Sequence, residues 1–322
     1  MLAATYRKKG PAREVLRIED VERPEPGRGE VRVRVEVSGV NPTDVKARGG
    51  QVPRPINGFQ IPHQDGAGVI DAVGPGVDEG RIGERVWLWL AAAGPWGTAA
   101  EWTVMPQEQA MPLPDGASFE LGASLGVPAL TAQYCLLVGG SVKGKTVLVA
   151  GGAGAVGHFA IELGRHNGAR IVTTVSSSEK AQLAKNSGAD LVVDYTADDA
   201  LHQIKAVTSH VDRVIEVDLA SNLAMDLQLS KPNTTIVCYA ATGSDPVLPV
   251  RACMSANVVL RFVLLYGVPR PVLVATAQAV TDALAAGVLT ELPVHRFALE
   301  DIAAAHEAQE AGVVGKVLVD VR

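Results

Sequence analysis

A chain of 322 residues is longer than one ordinary hydrophobic core and implies about two domains. Its 47% hydrophobic and 20% charged residues are the balance of a globular protein, which excludes a disordered or fibrous chain. The net charge of -6 carries no basic stripe, which argues against a nucleic-acid partner, and no apolar run reaches the roughly 20 residues of a membrane span.

The first ten residues lack the apolar stretch of a signal peptide. Cys135, Cys238 and Cys253 are far apart and odd in number, so a cytoplasmic chain with reduced, buried thiols is expected. Pro24-Glu25-Pro26-Gly27-Arg28-Gly29 is a turn that neither a helix nor a central strand would accept. Residues 30–37 then alternate polar and apolar with period two, the pattern of a half-buried antiparallel strand. Residues 68–74 and 85–90 read as further strands, so the first part of the chain is expected to be β-rich and partly barrel-like.

The texture changes at Pro112-Leu113-Pro114. Residues 119–138 have helical spacing, with a break expected at Gly126-Val127-Pro128. Thr146-Val147-Leu148-Val149-Ala150 is a wholly apolar strand of the type buried on both faces of a parallel sheet. A helix over 155–167, ending at Gly168, follows it. Strands at 170–175, 191–193, 213–216 and 235–239 and a helix at 178–187 continue the alternation, which predicts a doubly wound parallel sheet. A helix at 272–286, a strand at 293–297, a helix at 299–311 and a strand at 315–321 close the chain. The expected organisation is α/β: a β-rich domain of residues 1–118 and 269–322, interrupted by a nucleotide domain of residues 119–268.

Between the strand ending at Ala150 and the following helix lies Gly151-Gly152-Ala153-Gly154-Ala155-Val156-Gly157. Gly151, Gly154 and Gly157 form a G-x-x-G-x-x-G turn in strand–turn–helix context, where small residues let the backbone approach a pyrophosphate. The helix start at Ala155 and Val156 offers free N–H groups and a positive dipole end to it. An NAD site usually carries an acid after the second strand. Here Ser176, Ser177 and Ser178 stand in that place and Lys180 follows, a set that suits a 2′-phosphate and predicts NADPH. Glu179 fits the first turn of a helix capped by Ser177 or Ser178. No C-x-x-C or H-E-x-x-H motif occurs, and no G-x-S-x-G elbow stands at a strand-to-helix turn. His63, beside Asp65, reads as structural or pocket-lining rather than as a base.

In their order, Pro24 to Val31, Gly39-Val40-Asn41-Pro42-Thr43-Asp44, Ile61 to Val69, Gly83-Glu84-Arg85-Val86, Gly97 to Trp102 and residues 113–195 resemble one family. It is the medium-chain dehydrogenase/reductase superfamily, and within it the zinc-free quinone oxidoreductase group that includes zeta-crystallin. The resemblance implies a GroES-like catalytic domain joined to a Rossmann domain, and commonly a homodimer through edge strands, with residues 257–263 the candidate here. It implies NADPH contacts at Ser176, Lys180 and Tyr195, with Thr131 near the nicotinamide. Tyr239, Ala240, Ala241 and Thr242, the loop Leu264, Leu265 and Tyr266, and Lys316 complete that set. Zinc alcohol dehydrogenases have a cysteine where Asn41 stands and a histidine where Gln64 stands, and residues 91–96 fill the interval of their structural-zinc loop. A zinc-independent hydride transfer to a small-molecule quinone is therefore expected, with Asn41 donating to the carbonyl oxygen, Gln64 assisting and Thr43 relaying a proton. Lys46 replaces a tyrosine frequent in the group, which leaves an enone or alkenal double-bond reductase, or a non-catalytic NADPH-binding structural protein, as alternatives. Asp44 reads as a loop brace. Trp87, Trp89 and Trp96 either line an aromatic pocket or pack the barrel.

Overall fold

The computed structural model describes residues 1–53, 55–241 and 245–322. The chain divides into two compact units, Met1–Val127 with Glu291–Arg322, and Pro128–Thr290. The first unit opens with β1 (Leu2–Thr5), α1 (Ala12–Val15) and β2 (Arg17–Asp20), then β3 (Glu30–Val40), α2 (Pro42–Gly49) and β4 (Asp65–Val73). After these come β5 (Arg85–Leu88), β6 (Trp102–Pro106), β7 (Ala110–Pro112) and α3 (Phe119–Leu137), within which the division between the units falls. The second unit alternates β8 (Thr146–Ala150), α4 (Ala155–His166), β9 (Arg170–Val175), α5 (Ser178–Asn186), β10 (Leu191–Asp194) and α6 (Ala200–Val207). It continues through β11 (Val211–Glu216), α7 (Leu219–Leu229), β12 (Ser230–Cys238), α8 (Val250–Ala256), β13 (Val259–Phe262) and α9 (Arg270–Ala285). The chain returns to the first unit as β14 (Val294–Ala298), α10 (Ile302–Glu310) and β15 (Lys316–Asp320).

In the first unit a seven-stranded sheet runs β14-β15-β3-β4-β5-β7, with β6 also on β3. The alternation of β3 places Val31, Val33 and Val35 inward, where they are fully buried with Ile70, Val86, Leu88 and Met105. Polar residues of β3 alternate with them, as a sheet with one apolar face requires. The pairing of β15 with β3 is antiparallel, with Val317 opposite Val40. That register sets Lys316, which opens β15, beside Asn41, which ends the turn out of β3.

In the second unit all six strands are parallel, in the order β10-β9-β8-β11-β12-β13. This is the doubly wound order in which the topology reverses beside the first strand, here between β8 and β11, and a crevice opens at the carboxyl ends of the strands. Val147, Val149, Ile171, Val172, Val214 and Ile215 are fully buried, consistent with a sheet covered on both faces.

One expectation is corrected. The break at Gly126 to Pro128 does not occur, and α3 runs continuously with Pro128 inside it. A proline removes one N–H from the helical ladder and crowds the preceding turn. The Asp65 carboxylate meets that disturbance by accepting from the Val127 N–H at 2.8 Å. Among the described residues no helix is long and apolar enough to cross a membrane.

Candidate active site

The glycine turn lies where β8 hands over to α4. Gly151 has φ +73°, the left-handed region that favours glycine. A Cβ on Gly157 would lie 2.2 Å from the Gly151 carbonyl oxygen, so this glycine is required for the helix to pack on the turn. Gly154 differs: it caps α4, and a Cβ there would meet only the Gly151 oxygen, at an ordinary 3.4 Å. Its missing side chain leaves open space in front of the first N–H groups of α4, at Ala155, Val156 and Gly157. These groups have no partner within the helix and face where an anion would sit. That open cradle fits a dinucleotide pyrophosphate.

Around it, the expected contacts follow strand ends. Ser176 follows β9, and Lys180 Nζ donates to Ser176 Oγ at 2.9 Å. Ser177 caps α5 by accepting from the Lys180 N–H. Tyr195 follows β10; its N–H donates to the Val175 carbonyl at 2.9 Å and its side chain is exposed. The structure thus brings Ser176, Lys180 and Tyr195 to adjacent strand ends, with a hydroxyl and a cation already in contact. Tyr239, Ala240 and Ala241 follow β12, Leu264, Leu265 and Tyr266 follow β13, and Thr131 is buried on α3. Thr242 lies outside the described residues.

The catalytic expectations fall in the first unit. Asn41 is the N-cap of α2 and is 2% exposed. Its Oδ1 accepts from Lys316 Nζ at 2.7 Å, and its Nδ2 donates to Asp65 Oδ2 at 2.7 Å. Lys316 and Asp65 close the triangle at 3.2 Å, both buried. The two charged partners fix which way the amide points and leave one Nδ2–H uncommitted to them. Lys316, expected at the cofactor, has two of its three ammonium protons taken here. Burial pushes the Asp65 carboxyl upward, and Lys316 pulls it back.

Asp44 Oδ2 accepts from the Asn41 backbone N–H at 2.8 Å, bracing the loop. Its carboxyl is nonetheless pushed up to about 8, first by burial and then by the charge of Asp65. Thr43 is half-buried on the first turn of α2. Gln64 is buried and its Oε1 has no hydrogen-bond partner among the described residues. It faces a cavity that Asp44 and His63 also line. A buried amide oxygen left unmatched is costly and points to a partner that arrives from outside.

His63 is structural. It bonds Ser38 Oγ at 2.7 Å and His306 Nε2 at 3.0 Å, and burial holds its imidazole well below the usual range. Trp87 and Trp89 are fully buried, and Trp96 packs edge-on against Phe59 with ring centroids 5.5 Å apart, so these rings pack the barrel. Asp65 and Lys316 as holders of Asn41 are what sequence reasoning missed. The available signal was an acid and a base each opening a strand, Asp65 on β4 and Lys316 on β15.

Two family models match, the alcohol dehydrogenase GroES-like domain over residues 27–115 and the zinc-binding dehydrogenase over residues 155–283. A quinone oxidoreductase of Rattus norvegicus is 29% identical over 312 residues, 95% of this chain and 94% of that protein. A 2-haloacrylate reductase of a Burkholderia species is 31% identical over 320 residues, again 95% and 94%. Among solved structures, a mycobacterial protein complexed with NADPH superposes with a TM-score of 0.85 at 32% identity over 99% of both chains.

Proposed function

Because the chain belongs to the quinone oxidoreductase family of the medium-chain dehydrogenase/reductase superfamily, we propose that it reduces a quinone without a catalytic metal. It is an NADPH-dependent oxidoreductase. NADPH, when bound, supplies the hydride. The glycine turn and the start of α4 hold the pyrophosphate, and Ser176, Lys180 and Tyr195 hold the 2′-phosphate. Thr131, Tyr239, Ala240, Ala241, Leu264, Leu265 and Tyr266 line the remainder of the cofactor.

The observation that carries the substrate side is the amide of Asn41, locked between Lys316 and Asp65. Lys316 donates to Oδ1 and draws electrons through the amide, which sharpens the remaining Nδ2–H as a donor. That donor meets the oxygen on which negative charge develops, and Gln64 supplies a second polar contact. A quinone spreads the charge, so a carboxamide suffices where a zinc ion stands in relatives with cysteine and histidine at these positions. Thr43 passes a proton to the reduced oxygen.

Removing one such donor costs about 10² to 10³ in kcat. Asn41→Ala should therefore lower kcat/KM for a quinone by about 100-fold while the Kd of NADPH holds. An unchanged kcat/KM overturns the donor role. A second reading is favoured by the 2-haloacrylate reductase relative: reduction of a carbon–carbon double bond conjugated to a carbonyl or carboxylate. Identifying which of a quinone and an enone is consumed with NADPH separates the two. We further propose a cytoplasmic homodimer, supported by reduced cysteines and by the exposed apolar edge strand β13.

A further inference from the structure

At the end of the parallel sheet opposite the glycine turn, the second unit holds a cavity of about 300 Å³. Such a volume lies at the low end of small-molecule sites, roughly 300–1,000 Å³. Its wall is a built feature of the sheet. One residue separates Val211 from Arg213 on β11, whereas four separate their partners Ser230 and Thr235 on β12. The extra residues loop out and are tied down: Lys231 N–H donates to Thr234 Oγ1 at 3.0 Å, and Thr234 Oγ1 donates to the Val211 carbonyl at 2.7 Å.

The loop adds Lys231 to a lining that already has Lys145 and Arg213, and Asp212 is the one carboxylate on the wall. Asp212 is committed, since it pairs with Lys231 Nζ at 2.6 Å and accepts from the Thr146 N–H at 2.9 Å. Arg213 is the unusual group. It is 2% exposed, and among the described residues it forms no ion pair and its Nε has no hydrogen-bond partner. Its Nη1 reaches the Gly140 carbonyl past the end of α3, but only at 3.2 Å. Burial works against the Arg213 cation first and the nearby guanidinium of Arg261 adds to it, while the charge of Asp212 favours it. The Gly140 carbonyl therefore accounts for one of the five Arg213 donors, and the nearby carboxylate, Asp212, is already paired with Lys231; a buried charge so weakly compensated is expensive.

We propose that this cavity binds a small oxyanion of the phosphate class, held by Arg213, Lys145 and Lys231. Arg213 presents its planar donors from the floor, and the two lysines supply point charges from the rim. Asn233 and Thr235 offer polar contacts to the rest of a phosphate monoester. The site is separate from the cofactor cradle. Lys145 precedes β8 and Gly151 follows it, so the strand's 5 residues at roughly 3.3 Å each stand between them.

The test is a titration of the full chain, saturated with NADPH so that the 2′-phosphate site is filled, at constant ionic strength set by chloride. Inorganic phosphate and glycerol 3-phosphate are added separately and Tm is read. A saturable rise with either anion is expected, and which of the two saturates tells free phosphate from an ester. In the Lys145→Gln/Lys231→Gln variant, whose changes lie at the solvent-facing rim, half-saturation should move up by about tenfold or more, the worth of a charge-assisted contact. In Lys180→Gln it should not move. A rise that chloride reproduces, one that survives unchanged in the lysine double variant, or one lost only in Lys180→Gln overturns the proposal.

Discussion

Gly154 and Gly157 stand three residues apart in one turn, yet a methyl group would act differently at each. At position 157 it would collide with the Gly151 backbone oxygen at 2.2 Å, and overpacking of that kind costs about 1–3 kcal/mol. At position 154 it would make only an ordinary contact and would instead enter the space proposed for the pyrophosphate. Gly157→Ala should therefore lower Tm by several degrees. Gly154→Ala should hold Tm nearly constant and raise the Kd of NADPH by about tenfold, the effect of roughly 1.4 kcal/mol. Calorimetric titration of both variants reads this, and an unchanged Kd in Gly154→Ala would place the pyrophosphate elsewhere. Asp44 raises a question of protons at the same scale. Its carboxyl sits at about 8 in the folded chain, far above the usual carboxylate value, because burial and Asp65 disfavour its charge. The folded state thus binds the proton more tightly than the unfolded state, and stability falls as pH rises from about 4 to about 8. Each tenfold difference in proton affinity between the two states is worth about 1.4 kcal/mol, so the loss amounts to a few kcal/mol. Asp44→Asn keeps an acceptor for the Asn41 N–H and cannot ionise. Urea unfolding at pH 5 and pH 8 should show the variant losing much less stability than the parent across that interval; equal losses refute the assignment.

The β9–α5 turn shows what short-range sequence can and cannot reveal. Ser176, the cap Ser177 and Lys180 lie within five consecutive positions, so the strand end, the helix start and the side chains that meet there are all local. The spacing alone places a hydroxyl and an ammonium together, and the structure joins them at 2.9 Å. Lys180→Ala should reduce the preference for NADPH over NADH by about tenfold to 100-fold while kcat/KM with NADH is unchanged, as loss of one charge-assisted bond requires. Steady-state kinetics with both cofactors measures it, and an equal loss with NADH would deny Lys180 a 2′-phosphate role. The same locality made the glycine turn and the alternation of β3 legible. The holding of Asn41 was not, because its partners are 24 and 275 residues away in sequence. Only the antiparallel register of β15 on β3 brings Lys316 to it, and no spacing rule encodes that register. Pro128 misled for a related reason: the break it signals locally is repaired by Asp65, 62 residues earlier than the Val127 N–H it accepts.

For the whole molecule, the decisive element is the one the six-stranded sheet leaves at its margin. β13 pairs with β12 on one side alone and so presents a row of backbone donors and acceptors. Its side chains do not protect it: Val259 and Phe262 are 46% and 65% exposed, and Leu264 just beyond is 67% exposed. Monomeric proteins usually blunt such an edge with charge, proline or a covering segment. Here Arg261 is the one charged residue on the strand, and it is turned to the Val138 carbonyl at 3.0 Å. In the proposed homodimer a second copy of the chain would add its own strand here, burying the side chains and satisfying the backbone together. Sedimentation should then give twice the 33.6 kDa chain mass for the parent protein. A Val259→Lys/Phe262→Lys variant should run at the chain mass itself, because two ammonium groups on each edge would face their counterparts across the pairing. The substitutions lie outside the buried core, so the variant should keep its fold and the glycine turn its affinity for NADPH. A variant that still sediments at the doubled mass, or a parent that runs as a single chain, removes β13 as the contact.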